Sequence, residues 1–351
     1  MAEKIFVSTL ALLLTFILRW GFKTLPKESW QILASLPKEK RENGEWAGVN
    51  LTYYGLFTAN ASLVALAMLF VLFCSLSVPV LEVFTMAVVM LSICIPASKI
   101  IARMVEKKPH TSTIGGASFA GIAIAPWVVY LTNVTLGSWM GFDLPVLVGF
   151  AVISIAYAFG EGIGRLACLS FGCCYGKPLS RTNQLLQTIF NNRSMVFTGK
   201  TKKIAYADGF DGEKMIPVQA VTSVISIIAG LSGTYLFLKN HPLSALIVTI
   251  VTTQLWRIIS EFFRADYRGD YRVSLYQLMA VGAIFYAVFI SFFFQMPAAL
   301  QPADIVAGLR SLWNPIVIIF LECLWGVVFF FTGKSKVTQA FITFHVIKER
   351  I

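Results

Sequence analysis

Nine separate apolar stretches of about 20 residues each constrain this chain more than any other feature. They run over 5–20, 53–75, 79–103, 114–137, 145–170, 217–238, 243–263, 273–295 and 313–332. Lipid offers no hydrogen bonds to a backbone, so runs of this length and polarity fold as helices that satisfy their own N–H and C=O groups. Only 13% of the 351 residues are charged and 57% are hydrophobic, against about 25% charged in soluble domains. The expected fold class is therefore all-α, a polytopic membrane protein with about nine transmembrane helices. Trp20, Tyr53, Trp139 and Trp313 stand at helix ends, as interfacial anchors do. The first run resembles a signal-peptide core, but no small-x-small cleavage site follows it, so it reads as an uncleaved membrane helix.

Two polar segments interrupt the pattern. Residues 28–53 carry Asn43-Gly44 between stretches of partial alternation, which predicts a surface β-hairpin. Residues 171–216 form a polar arm, with a short amphipathic helix expected over 184–189. The tail after 333 reads as an interfacial amphipathic helix. The expected organisation is an N-terminal membrane helix (1–27), the hairpin (28–52), a membrane core with the arm (53–295), and a further helix and tail (296–351).

The net charge of +11 suits anionic lipid headgroups. No compact basic domain exists to hold a duplex, so nucleic acid is not an expected partner.

Polar residues gather at particular helix ends. Tyr54 opens the second helix, and Gly115 and Gly116 open the fourth. Glu161 and Arg165 close the fifth, and Pro217 and Gln219 open the sixth. Arg257 and Glu261 close the seventh, while Ser274 and Gln277 open the eighth. In a chain that crosses at every helix, starts of even helices and ends of odd ones share one side, so all six converge. Glu161/Arg165 and Arg257/Glu261 are each four residues apart, hence on one helical face. Ionisable groups inside membrane helices cost about 2.5–3.5 kcal/mol each on insertion scales and mark function by default. The competing reading is that these are snorkelling interfacial ion pairs. Two guanidiniums bind a phosphate well, a carboxylate can act as a base, and fixed arginines stabilise a leaving phosphate. No metal or cofactor is expected.

Six cysteines form no disulfide framework. Cys74, Cys94 and Cys323 lie in apolar runs. Cys168, Cys173 and Cys174 cluster, but C-x4-C-C matches no usual zinc spacing. Cys173 and Cys174 have two readings: an activated nucleophile, lipid carrier or redox element beside Arg165, or small buried fillers. His241 and His345 read as solvated, and Glu322 in the last run has no assigned role.

Six motifs resemble, in order, those of the prolipoprotein diacylglyceryl transferase family: "NLTYYGL" (50–56), "TIGGASFAG" (113–121), "GIGRLACLSFGCCYGKP" (162–178), "IPVQ" (216–219), "WRIISEFFRAD" (256–266) and "SLYQLMAV" (274–281). The resemblance spans roughly 50–295. It implies a seven-helix core and transfer of a diacylglyceryl group from phosphatidylglycerol to a lipobox cysteine of a preprotein, with glycerol phosphate leaving. By position it implies catalytic roles for Tyr54, Arg165, Arg257 and Glu261, to which Cys173 and Cys174 are added here. It also brings in Gly176 and Arg264, which join Glu161, Gly115, Gly116, Gln219 and Gln277 as expected substrate-binding residues.

The departures are specific. Ile114 stands where the family has a histidine, and His110 is not its positional equivalent. Cys168 and Cys173 replace a signature asparagine and glutamate. "IPVQAVT" keeps Pro217 and Gln219 but lacks the family's His, Tyr and Glu. The expected function is a phospholipid-dependent transferase acting on phosphatidylglycerol, with a preprotein thiol or a small molecule as acceptor. The alternative is a non-enzymatic lipid carrier using the same arginine-lined cavity. Lys and Arg lie mostly on the motif face, which the positive-inside rule would place in the cytoplasm. The resemblance instead implies an extracytoplasmic active face of a bacterial-type inner membrane, and that is the orientation expected here.

Overall fold

The computed structural model describes residues 1–107, 113–269, 272–296 and 301–351. His110 lies outside them. Among the described residues nine helices are long and apolar enough to cross a membrane. They are α1 (Ala2–Thr24), α2 (Tyr53–Cys74), α3 (Val80–Glu106), α4 (Ile114–Thr132, continued through a π-turn to Met140), α5 (Val146–Phe171), α6 (Val218–Leu238), α7 (Pro242–Glu261), α8 (Leu275–Phe293) and α9 (Pro315–Gly333). All nine expected spans are present, with ends shifted by a few residues.

Helix α5 is the axle. It starts after Pro145 and stops at Gly172, whose φ of +70° gives the left-handed turn that ends a helix. It packs against α1, α2, α4, α6 and α7, and almost every one of its side chains is buried. Its glycines make this possible. Gly160 and Gly164 face Ala65 and Ala61 of α2, while Gly162 faces Ile227 of α6. Small residues let backbones approach where lipid provides no hydrophobic drive between helices. Ser223 of α6 uses that closeness to donate a hydrogen bond to the Gly162 carbonyl at 2.6 Å.

The hairpin forms as expected, from β1 (Ile32–Lys40) and β2 (Trp46–Thr52). The tail does not form the expected amphipathic helix, and its only helical residues are a single 3-10 turn at Lys348–Arg350. Residues Lys334–Ile342 are a strand, β3, paired antiparallel with β2, giving the sheet order β1-β2-β3. Its burial alternates along the strand, and Val337, Thr338, Phe341 and Ile342 favour a pleated surface. Asn50 of β2 donates to the Thr338 hydroxyl at 3.1 Å. Eight crossings, α2 to α9, return a chain to the face it left, so β2 before α2 and β3 after α9 can meet.

The polar arm is anchored rather than loose. It contains the expected short helix (Gln184–Phe190), a second one (Lys203–Asp208), and a two-stranded pair between Met195–Val196 and Lys214–Met215. Lys202 is fully buried. Its Nζ donates to the carbonyls of Ser170 at 2.7 Å and Leu25 at 3.2 Å. One ammonium thus satisfies acceptors at the C-terminal ends of both α1 and α5.

Candidate active site

Tyr157, Glu161 and Arg165 repeat every four residues and form one stripe on α5. The stripe faces Arg257 of α7. A single carboxylate oxygen, Glu161 Oε1, accepts from Arg165 Nη2 at 2.6 Å and from Arg257 Nη2 at 2.7 Å. The other oxygen accepts from the Tyr157 hydroxyl, which itself accepts from Arg257 Nη2 at 2.6 Å. Glu161, Arg165 and Arg257 are only 5%, 6% and 8% exposed. Ten residues of helix, about 15 Å, separate Glu161 from the end of α5, so the cluster lies inside the bundle.

Two guanidiniums share one carboxylate, which leaves a surplus positive charge in a buried place. Such a charge is costly unless it is partnered. The Nε atoms of both Arg165 and Arg257 are buried without hydrogen-bond acceptors. Donors from two helices are thus already fixed and not fully used, an arrangement that can bind an anion.

Surrounding residues brace it. A Cβ on Gly115 would lie 2.6 Å from a ring carbon of Tyr276 and 3.3 Å from Arg257 Nη1, so the absent side chain lets the start of α4 close on the arginine. Tyr276 donates to Glu106 Oε1 at 3.0 Å, and Arg268 Nη1 reaches the same oxygen at 3.0 Å. Arg257 does not pair with Glu261 along its own helix as the four-residue spacing suggests. Glu261 turns toward Arg268, 4.0 Å away. Arg264 makes a bidentate pair with Asp266 at 2.8 and 2.7 Å.

The loop after α5 returns the cysteines to this region. The N–H of Cys173 donates to the Cys168 carbonyl at 3.1 Å, and Cys174 has φ +59°. The loop is pinned to the chain after α7, since Lys177 N–H donates to the Phe263 carbonyl at 2.8 Å and Ala265 N–H to the Tyr175 carbonyl at 3.2 Å. The three sulfurs lie within 4.8 Å of one another. Hydrogen bonds from Cys168 and Cys173, with Arg264 and Arg268 nearby, hold the Cys174 thiol well below its ordinary pKa in spite of burial. Cys173, donating to its neighbours and buried, is pushed up. Tyr54 stacks edge-on against Phe171, with ring centroids 5.5 Å apart. It lies within electrostatic reach of all three cysteines and Arg165.

Several residues expected to bind ligand have partners within the protein. Gln219 donates to the Cys173 carbonyl at 2.9 Å. Gln277 caps α8 together with Ser274 and donates to the Ile258 carbonyl at 3.0 Å. Gly116 packs on Ile101, and Gly176 leaves room for the Ile216 carbonyl. Reading the sequence missed Tyr157, Glu106, Asp266, Arg268 and Tyr276. Tyr157 had a usable signal, one turn before Glu161 on the same face.

The family profile of prolipoprotein diacylglyceryl transferase matches residues 45–293. Similar proteins include a phosphatidylglycerol–prolipoprotein diacylglyceryl transferase of Dehalococcoides mccartyi strain 195, 24% identical over 221 residues, which are 60% of this chain and 77% of the relative. The enzymes of the same name from strains BAV1 and CBDB1 are each 25% identical over 212 residues, 57% of this chain and 73% of theirs. The matched segment contains the whole arginine–carboxylate cluster and covers more than two thirds of the sequence, and the chain belongs to the prolipoprotein diacylglyceryl transferase family.

Proposed function

We propose that this chain transfers the diacylglyceryl group of phosphatidylglycerol to the cysteine thiol of a preprotein, at the extracytoplasmic face of a bacterial inner membrane. The observation that carries this reading is the buried pair Arg165 and Arg257 on one Glu161 oxygen, with unpartnered Nε donors on both. A lipid phosphodiester supplies the anion this cluster calls for. The acceptor sulfur attacks the glyceryl carbon, an S–C bond forms as the C–O bond breaks, and the electron pair leaves on the phosphate as glycerol phosphate. Charge grows on the phosphate along that path, and fixed guanidiniums in a water-poor site stabilise it more than they stabilise the resting lipid.

Tyr54 and the cysteine loop place an acceptor near Arg165 in this reading, while Glu261 and Arg264 order the loop after α7. The base cannot be the family's histidine, since Ile114 occupies its place. His241 begins α7, about 24 Å of helix from Arg257. The core of this activity is residues 53–295.

The test is mass spectrometry of peptide and lipid after incubating purified protein with phosphatidylglycerol and a lipobox peptide. A thioether-linked diacylglyceryl peptide is expected, lost in Arg165→Ala and Arg257→Ala. Unmodified lipid moving between leaflets with no product would overturn the reading. Labelling of cysteines placed in the arm, from outside intact cells, tests the orientation; labelling only after permeabilisation would reverse it.

A further inference from the structure

We infer that Cys168, Cys173 and Cys174 form a three-thiolate zinc site whose open fourth position takes the acceptor cysteine as a thiolate. The inference rests on the thiol-transfer reading above and gives it the activating group it lacks.

The geometry comes from a tight reversal. Gly172 ends α5 in the left-handed region, and the positive φ of Cys174 turns the chain again two residues later. A C-x4-C-C spacing that looks unsuitable along the sequence therefore closes into a triangle with every S···S separation within 4.8 Å. Three sulfurs at about 2.3 Å from a zinc ion sit about 3.8–4.0 Å apart, so small side-chain rotations complete the set. Among the described residues no fourth Cys, His, Asp or Glu joins the group. Structural zinc sites close with four protein ligands, whereas reactive ones keep three and leave a position open. Cys168 and Cys173 are buried and Cys174 is half-buried, so the triangle is not sealed all round.

Its surroundings fit an anionic complex. Zinc with three thiolates carries one negative charge, and a fourth thiolate makes it two. Arg165, Arg264 and Arg268 lie within electrostatic reach of these sulfurs. Arg165 and Cys168 are three residues apart on α5, hence on one face. A sulfur held at the triangle would sit beside the guanidinium proposed to hold the lipid phosphate.

The chemistry balances without a histidine. A thiol bound to zinc loses its proton to water outright. The bound sulfur then attacks the glyceryl carbon, the C–O electron pair leaves on the phosphate, and the neutral thioether formed is a poorer ligand than a thiolate and departs.

The experiment uses the full chain in detergent under reducing conditions, stripped with a chelator and titrated with cobalt(II). One equivalent should bind with thiolate-to-cobalt charge-transfer absorption. A lipobox peptide with one cysteine should raise that absorption by about one third, from three Co–S bonds to four, and its serine counterpart should not. Cys168→Ser, Cys173→Ser and Cys174→Ser should each weaken zinc binding about tenfold or more, while Cys323→Ser should not. Absence of charge transfer, its survival in the Cys173→Ser and Cys174→Ser variants, or no response to the cysteine peptide would each overturn the site. Equal rates of peptide modification by stripped and zinc-loaded protein would also overturn it, leaving the thiol-transfer reading intact. No thioether product from any form, with the charge-transfer band present, would sink that reading and with it the acceptor's place on zinc.

Discussion

Arg257 and Glu161 lie 96 residues apart in sequence and 2.7 Å apart in space, and their contact fastens α7 to α5. Arg165 reaches the same oxygen from within α5. The cluster braces the two helices and, in the proposed function, its arginines hold the lipid phosphate.

Removing the shared carboxylate should damage both roles. Glu161→Gln leaves two buried guanidiniums facing each other without a counter-charge, and losing one partner of a buried pair costs about 3–5 kcal/mol. Thermal unfolding in detergent should show a marked drop. Arg257→Lys keeps the charge but loses the planar fork, so kcat/KM should fall by about 10²–10³-fold with a much smaller change in unfolding temperature.

Tyr157→Phe is a sharper probe. Its hydroxyl donates to Glu161 and accepts from Arg257. Deletion leaves one carboxylate oxygen short of a donor, at a cost of about 1–3 kcal/mol. Activity should decline further than in a Tyr286→Phe control at the α4–α8 contact.

Gly115→Ala tests the close approach of α4. The added methyl meets the Tyr276 ring and Arg257 Nη1. Arg257 must shift, so turnover should fall while binding of a phospholipid analogue changes less. Unchanged turnover would show that the arginine's placement does not depend on this contact.

Lys202 gives a pH signature. Burial lowers its pKa to about 8, from 10.5 for a free lysine. The folded protein releases this proton before the unfolded chain does, so stability should rise with pH between those two values. The wild type should show that rise in unfolding temperature and Lys202→Met should flatten it. The same variant leaves the Ser170 and Leu25 carbonyls without their donor, which lowers stability at neutral pH.

Gln277→Ala separates capping from ligand binding. Its side chain completes the capping box of α8 and reaches the Ile258 carbonyl. Loss of about 1–2 kcal/mol of stability with an unchanged KM for lipid is expected.

The spans were legible because a long apolar run is the plainest signal a sequence can carry. Glu161, Arg165 and Arg257 were legible because charges inside such runs stand out. The Glu161–Arg165 pair was legible from its four-residue spacing, but the partner of Arg257 was not, since the same spacing pointed it toward Glu261 and only the packing of α5 on α7 redirects it. Tyr157 passed as one more aromatic residue in an apolar helix. The grouping of Cys168 with Cys173 and Cys174 was legible in the sequence, but the C-x4-C-C spacing hid how closely the Gly172 turn brings their sulfurs together. The tail escaped because a strand with polar and apolar residues intermixed declares itself only beside its partner, and β3 finds that partner near Asn50, 288 residues earlier.

That distance sets an order of events during biosynthesis. At about 5–20 residues per second, a ribosome needs about 15–60 s between making Asn50 and making Thr338. Throughout that interval β2 has only β1 to pair with, and a two-stranded hairpin is marginal in water. One edge of β2 stays open to any passing strand while α2 to α9 enter the membrane. The sheet can therefore close only after the last helix of the bundle has been synthesised.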